Sequence, residues 1–426
     1  MKRIIGLLIF FTACAVAAPQ PEQFADYPDL PPLQTVKEVM DNSPTVQAAQ
    51  AGIKLEEANA RKLNAGPYEF TAKLTEKQRR VRESGNFNEW DAALERGVRL
   101  PGKAAIDQQL GTQGINLAKL AYGDALHESG RNLLRLWFAW QQEHVQAKQW
   151  QNQVDALGEQ LAIVRKRVAA GDAPQLEVLL SEAALAQAKY ALRQATLREQ
   201  TAATDVTQRY VGITLPGDPA LVEPEPLQER LDYWREKILE HNHELVLVRG
   251  EVQRAQLQLN RSSADKTPDP TVGINYSSER GGEDHITGVF LSIPLPGEAR
   301  RASESGSLAQ AEIAAHNEAK TLRRLGAEIT NAYNNAVAAY DGWQKAKAAA
   351  DGMQRNAELM TRAYSLGEMG LSEVLLARRQ ALEAGLAAAL AQLNARESRY
   401  RLLLDSHQLW PLDKQEDEAD IEHAHY

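Results

Sequence analysis

The sequence predicts a mainly α-helical chain with a smaller β portion, built as two tandem copies of one unit: helix, β-hairpin, long helix, tip, helix. Three observations carry this. A set of landmarks recurs in the same order about 195 to 200 residues apart. Two stretches, Lys103 to Val168 and Glu298 to Leu366, hold no proline, and each would run on the order of 100 Å at about 1.5 Å per residue. Three short stretches alternate apolar and polar residues with the period of strands, and a fourth is more uniformly apolar.

The N-terminus comes first. Lys2 and Arg3 precede an apolar run, Ile4 to Ala13, and Ala15-Val16-Ala17 follows. A basic start, an apolar core and a small-x-small site form the layout of a secretory leader. Residues 1–17 are therefore expected to be a signal peptide and 18–33 an extended lead-in. Cys14 is the chain's one cysteine. Cleavage after Ala17 would remove it, leaving no thiol for a disulfide or a metal. Phe11-Thr12-Ala13-Cys14 also reads as a poor lipobox, because an aliphatic residue is usual where Phe11 stands. Used as one, it would make Cys14 the lipidated first residue. No later segment has the length of a spanning helix, so a membrane crossing would need a closed barrel.

The first repeat is expected over 34–210 and the second over 228–410. Asn42-Ser43-Pro44 opens a helical run to Leu63, and Asn242-His243-Glu244 opens its counterpart to about Arg261. Strand-like stretches follow, over about 67–100 and 270–296. Each reaches Leu-Pro-Gly, at Leu100-Pro101-Gly102 and Leu295-Pro296-Gly297, where a long helical run begins. Those runs break at Gly171 and Gly367, residues suited to the positive φ of a helix C-terminus. Hairpin tips are thus expected at about 169–174 and 365–371. Pro174 suits the start of the first return helix, and Gly370 loosens the same place in the second. Glu177-Val178-Leu179-Leu180 and Glu373-Val374-Leu375-Leu376 follow the two breaks. Between the copies, 211–227 holds Gly212, Pro216, Gly217, Pro219, Pro224 and Pro226, which rules out continuous helix and predicts a short strap.

Helices this long must pack side by side. Val154, Leu157, Leu161, Val164 and Val168 step by threes and fours, as do Leu382, Leu386, Ala389 and Leu393. In the strands, Tyr68, Phe70, Ala72 and Leu74 alternate with Glu69, Thr71, Lys73 and Thr75, and Trp90, Ala92 and Leu94 alternate with Asp91, Ala93 and Glu95. Val272, Ile274 and Tyr276 alternate likewise, and His285 to Leu295 is more uniformly apolar. One greasy and one polar face fit either a barrel between lipid and water or a soluble half-buried sheet. Four strands cannot close a wide barrel, so the barrel reading requires several subunits.

These residues resemble the TolC-type outer-membrane efflux proteins. The likeness spans about Pro31 to Leu412. It rests on the duplicated plan, on the two Leu-Pro-Gly turns with basic residues close behind, and on a glycine followed six residues later by Glu-Val-Leu. The resemblance implies a homotrimer, in which each subunit gives four strands to a 12-stranded transmembrane barrel set on a periplasmic α-helical tunnel. It implies an exit duct in the outer membrane of a Gram-negative bacterium, in contact with outer-membrane lipid. A periplasmic adaptor would join it to an RND-type inner-membrane pump. The adaptor would dock at Gly171, Asp172, Ala173, Gly367, Glu368 and Gly370. Lys103-Ala104-Ala105 after the first turn looks most like the heavy-metal cation branch, the Czc- and Cus-like components. The family's best-known members constrict the entrance with two carboxylates in an Asp-Val-Leu-Asp pattern. Glu373 matches the first, Leu376 replaces the second, and Glu177 is a candidate for a further ring.

No catalytic or cofactor motif stands beside this plan. The sequence holds no GxxxxGK[ST], HExxH, GxSxG or CxxC, so neither an enzyme nor a cofactor is expected. A net charge of -9 argues against nucleic acid as a partner. His241 and His243, two apart, read as surface residues. His423 and His425 end an acidic tail, 411–426, which reads as solvated and disordered or else as a weak site for a cation. The rival classes are a periplasmic coiled-coil adaptor or scaffold, which normally carries one hairpin where this chain has two, and a hydrolase, for which no nucleophile stands out.

Overall fold

The computed structural model describes residues 27–412. The expected signal peptide, Cys14, His423 and His425 lie outside the described residues. Two short helices, α1 (Leu33–Asp41) and α2 (Pro44–Ala65), lead into strands β1 (Thr71–Val81) and β2 (Gly85–Gly97). Helices α3 (Pro101–Ala169) and α4 (Gln175–Arg209) follow. The order then recurs as α5 (Leu231–Glu240), α6 (His243–Ala264), β3 (Thr271–Glu279), β4 (Asp284–Ser292), α7 (Glu298–Ser365) and α8 (Leu371–Asp405). The long helices match closely, with 69 residues in α3 and 68 in α7. No helix among the described residues is long and apolar enough to cross a membrane.

Local chemistry sets the helix ends. Pro44 and Pro101 stand in first turns, where a missing N–H costs nothing and the fixed φ is already helical. Asn242 caps α6 by accepting from the Leu245 N–H at 2.8 Å. Both α2 and α4 pack along α3, and both α6 and α8 along α7, so each long helix carries two shorter ones in succession. The approach is close: a Cβ at Gly111 would lie 3.0 Å from the Ala60 backbone. Any side chain there would push α2 off α3.

The strands form one antiparallel sheet in the order β1-β2-β3-β4. The register places Leu74 opposite Ala92, Leu94 opposite Ile274, and Ile274 opposite Val289, which gathers the apolar residues on one face. The other face carries ion pairs: Lys73 with Glu95 at 2.6 Å, Lys77 with Asp91, and Arg79 with Glu89 at 3.0 Å and Glu279 at 2.7 Å. The sheet does not pack on the helices, and its apolar face is bare, with Leu74 78% and Val289 85% exposed. The ladders are shorter than the alternation in the sequence suggests. Tyr68 leaves the ladder because its hydroxyl donates to Asp269 at 2.8 Å while its ring covers Gly97. Pro294 and Pro296 follow the last strand and offer no N–H to extend it.

The core lies among the helices. Val36, Met40, Leu133, Phe138, Trp140, Trp234, Ile238, Leu393, Leu402 and Trp410 are buried together, drawing on both repeats and on the turn after α8. The lead-in to α1 is tied there. The Asp29 carbonyl accepts from Trp137 Nε1 at 2.7 Å and Gln141 Nε2 at 2.9 Å, while its carboxylate pairs with Arg396 and accepts from the Tyr400 hydroxyl at 2.9 Å. The buried carboxylate is held by this ion pair and this hydrogen bond, which fix the chain's path. Residues 211–227 form no regular element and cross the helices: Asp218 meets Lys148 at 2.6 Å, Val222 accepts from Gln392 at 2.8 Å, and Glu225 meets Arg399 at 2.6 Å.

Candidate functional site

Each hairpin closes with the same backbone device. Gly171 has φ +83° and Gly367 has φ +78°, a region open to glycine without strain. The Gly171 N–H reaches Val168 and the Asp172 N–H reaches Arg167, at 3.0 and 2.9 Å. Gly367 reaches Tyr364 and Glu368 reaches Ala363, both at 3.0 Å. These paired bonds satisfy the last carbonyls of α3 and α7. Pro174 and Gly370 then sit as the N-caps of α4 and α8. Gly171, Asp172, Gly367, Glu368 and Gly370 are exposed, and Ala173 is half-buried.

The two tips pack on each other. Leu161, Val164 and Val178 from the first repeat share a small apolar cluster with Tyr364, Leu371 and Val374 from the second. Over it lies a polar lock. The Tyr364 hydroxyl donates to Glu177 Oε2 at 2.7 Å, and the Arg167 guanidinium rests 4.9 Å from the Tyr364 ring centre with Nη1 3.9 Å from the same carboxylate. Burial and then Glu177 push the Tyr364 hydroxyl up to about 12, so it remains a donor throughout the physiological range. One helical turn further on, Arg378 joins Thr361 and Gln160 at 3.2 and 3.3 Å.

The candidate gate residues thus occupy unlike settings. Glu177 is 17% exposed and spent on Tyr364 and Arg167. Glu373 is exposed, and its carboxylate accepts from the Gly370 N–H at 3.1 Å. Leu376 is 47% exposed beside it, and Leu179 and Leu366 are exposed nearby. The lock to Tyr364 links positions 187 apart, and no motif in the sequence marks it.

The strand-to-helix turns lie about 100 Å of helix away. Leu100 caps α3 and donates its N–H to Asp269 at 3.1 Å. Lys103, 2% exposed, pairs with Asp269 at 2.9 Å and Asp265 at 3.1 Å, while Arg99 and Arg261 hold Asp107 at 2.8 and 2.6 Å. This network joins the start of α3 to the end of α6 and the entry into β3. The matching turn is open: Leu295, Pro296 and Gly297 are exposed, and Gly297 caps α7.

A duplicated bundle of long helices, a sheet bare on its apolar face and paired tips invite comparison with known folds. The second repeat carries the signature of the outer membrane efflux protein family. The match to that family's model covers residues 234–404. No curated protein sequence matches the chain. Among solved structures, the fold is similar to the CmeC outer membrane channel of Campylobacter jejuni, with a TM-score of 0.75 and 13% identity over 91% of this chain and 88% of that one. It is similar to the outer membrane protein VceC of Vibrio cholerae, at 0.70 and 18% identity over 88% and 95%. It is similar to CusC, a transmembrane channel, at 0.66 and 13% identity over 92% and 97%. Nearly the whole described chain therefore has the outer-membrane efflux channel fold.

Proposed function

We propose that the chain is one subunit of a trimeric exit duct in the outer membrane, a passive pipe served by a periplasmic adaptor and an RND-type inner-membrane pump. The observation that carries this reading is the sheet. Its apolar face has no protein cover, its polar face is laced with ion pairs, and β1 and β4 are open edges. Long exposed apolar edges are a template for pairing. Three copies, edge to edge, would supply twelve strands, with the apolar faces toward lipid and the ion pairs toward water.

The tips are then the periplasmic entrance and the adaptor's docking place. The bond between Tyr364 and Glu177 holds the hairpins of the two repeats together, and parting them would widen the mouth. Glu373, free of any cross-repeat partner, would stand three times around the axis as an acidic ring that draws cations. A cation cargo is supported by that carboxylate. Lys103, part of the turn that resembles the heavy-metal branch, is consumed in a buried ion pair and so bears on architecture. Leu376, exposed where a second acid would stand, favours a second reading in which small organic molecules pass.

The test is the purified full chain in detergent and then in a planar bilayer. A trimer that conducts ions is expected, with cation selectivity that falls when Glu373 becomes Ala. A monomer that is stable without detergent and forms no pores would end the duct reading. Resistance of a deletion strain to metal salts against organic toxicants separates the two cargoes.

A further inference from the structure

Four imidazoles meet about 60 Å of helix away from the tips. His127 lies on α3, His241 and His243 at the corner between α5 and α6, and His407 in the turn after α8. His407 touches all the others, with ring centres 5.1 Å from His127, 5.0 Å from His243 and 5.8 Å from His241, and His127 lies 6.0 Å from His243. His243, expected at the surface, is half-buried in this group.

The group closes a helix end. His127 is buried, and its Nε2–H donates to the Leu404 carbonyl at 3.1 Å, where the His407 N–H also bonds at 3.0 Å. His407 has φ +59°, an uncommon conformation for a residue other than glycine, so the turn depends on its packing. Any proton that His127 gains must go to its other ring nitrogen, inside the packed cluster.

The surrounding charges are mostly committed. On α3, Arg131 bonds Asp405 of α8 at 2.7 Å and also pairs with Glu128. Arg401 of α8 shares Asp405 at 2.9 Å. On α5, Lys237 meets Glu240 at 3.1 Å, and Glu240 lies 3.8 Å from His241. Glu244 of α6 and Glu328 of α7 are both held by Arg324. Asp124 of α3 is the remaining acid, and burial raises its own tendency to protonate. New positive charge on His127 is therefore repelled by Arg131, and the Asp405 carboxylate 3.9 Å from its Nε2 is already shared by Arg131 and Arg401.

Among the described residues no group of three side chains has the spacing of a metal centre. His127 and His407 lie nearly flat on each other, at 11°, and do not turn nitrogens to a common point. The arrangement does not suit a resident ion.

We propose that His127, packed against His243 and His407, forms an acid-sensitive latch that, when neutral, holds the turn 406–412 and the α5–α6 corner against α3, and releases them when protonated. Burial and then Arg131 hold the His127 imidazole down at about 3, with Asp405 pulling the other way. The folded state thus binds fewer protons than the open one. The stabilisation is complete above about pH 6.5 and is lost as pH falls toward 3. The proton excluded from His127 favours opening about tenfold per pH unit below that value. The inference stands on the cluster and does not need the duct reading.

Hydrogen exchange of the full chain in detergent at about pH 7.5 and about pH 5.5, corrected for intrinsic rates, tests it. Peptides covering 402–412 and 236–246 should exchange about tenfold faster in acid, with the tips unchanged. His127→Gln keeps an N–H donor and cannot titrate, so the acid step should vanish. Should that variant fail to fold, His127→Asn, which also keeps an N–H donor and cannot titrate, takes its place and should remove the step. The idea fails if the parent shows no acid step, if the folded variant keeps it in full, or if Zn²⁺ binds stoichiometrically and protects the same peptides.

Discussion

At the first tip Glu177 is clamped by Tyr364 and Arg167, whereas at the second tip the matching Glu373 turns back onto its own helix end. The backbones are alike, with the same glycine conformation and the same pair of closing bonds. The side chains that face the acids are not. Three residues before the tip glycine stands Val168 in the first copy and Tyr364 in the second; four before it stands Arg167 in the first and Ala363 in the second. Each copy lends one partner, and both converge on Glu177. Duplication preserved the turn, and divergence at neighbouring positions made one acid structural while leaving the other open to solvent.

The strongest way to break this comparison is to remove the shared partner. Tyr364→Ala deletes a buried ring and leaves Glu177 without its donor, and should weaken the tips by about 3 to 4 kcal/mol. Exchange of peptides around 160–180 and 360–378 should quicken accordingly. Unchanged protection there would mean that the tips are held by something other than this cluster.

The acids themselves give a smaller and more discriminating difference. Glu177→Ala should cost about 2 kcal/mol, because the Tyr364 hydroxyl is left buried without an acceptor. Glu373→Ala should cost about 0.5 kcal/mol, the loss of an exposed cap. Cation selectivity should respond in the opposite order, falling for Glu373→Ala and holding for Glu177→Ala. Equal stability costs in local exchange measurements would erase the asymmetry.

The smallest expected signal sharpens the lock's chemistry. A tyrosine whose folded value is raised binds its proton more firmly when folded. Its contribution is present below about pH 10 and is lost as pH rises through about 12. An ultraviolet difference titration of the parent against Tyr364→Phe should show one tyrosine ionising near pH 12. A difference centred near 10 would show that Glu177 and burial leave Tyr364 unperturbed.

Much of this was legible in the residues. The proline-free runs, the leucine and valine steps, the glycine breaks and the alternating strands are local patterns with local causes. The likeness between the halves shows in the landmarks themselves. The tip lock and the histidine cluster were not legible. Tyr364 and Glu177 are 187 residues apart, and His127 reaches Leu404 across 277. His241 and His243 look like surface residues because their spacing puts them on different faces of one helix. They acquire neighbours only when the turn after α8 folds back beside them.

By itself the sequence determined the repeated unit, the longer helices, the places where the chain must turn, and the two faces of the first three strands. These follow from φ preferences, missing proline N–H groups and hydrophobic period, each felt within a few residues. The tertiary structure alone decided which carboxylate is tied across the two repeats and which only caps its own helix, that Lys103 is buried in an ion pair, and that four distant histidines share one corner. Burial and pairing depend on which helices lie against each other, and a charged side chain's role is set by the groups it meets there.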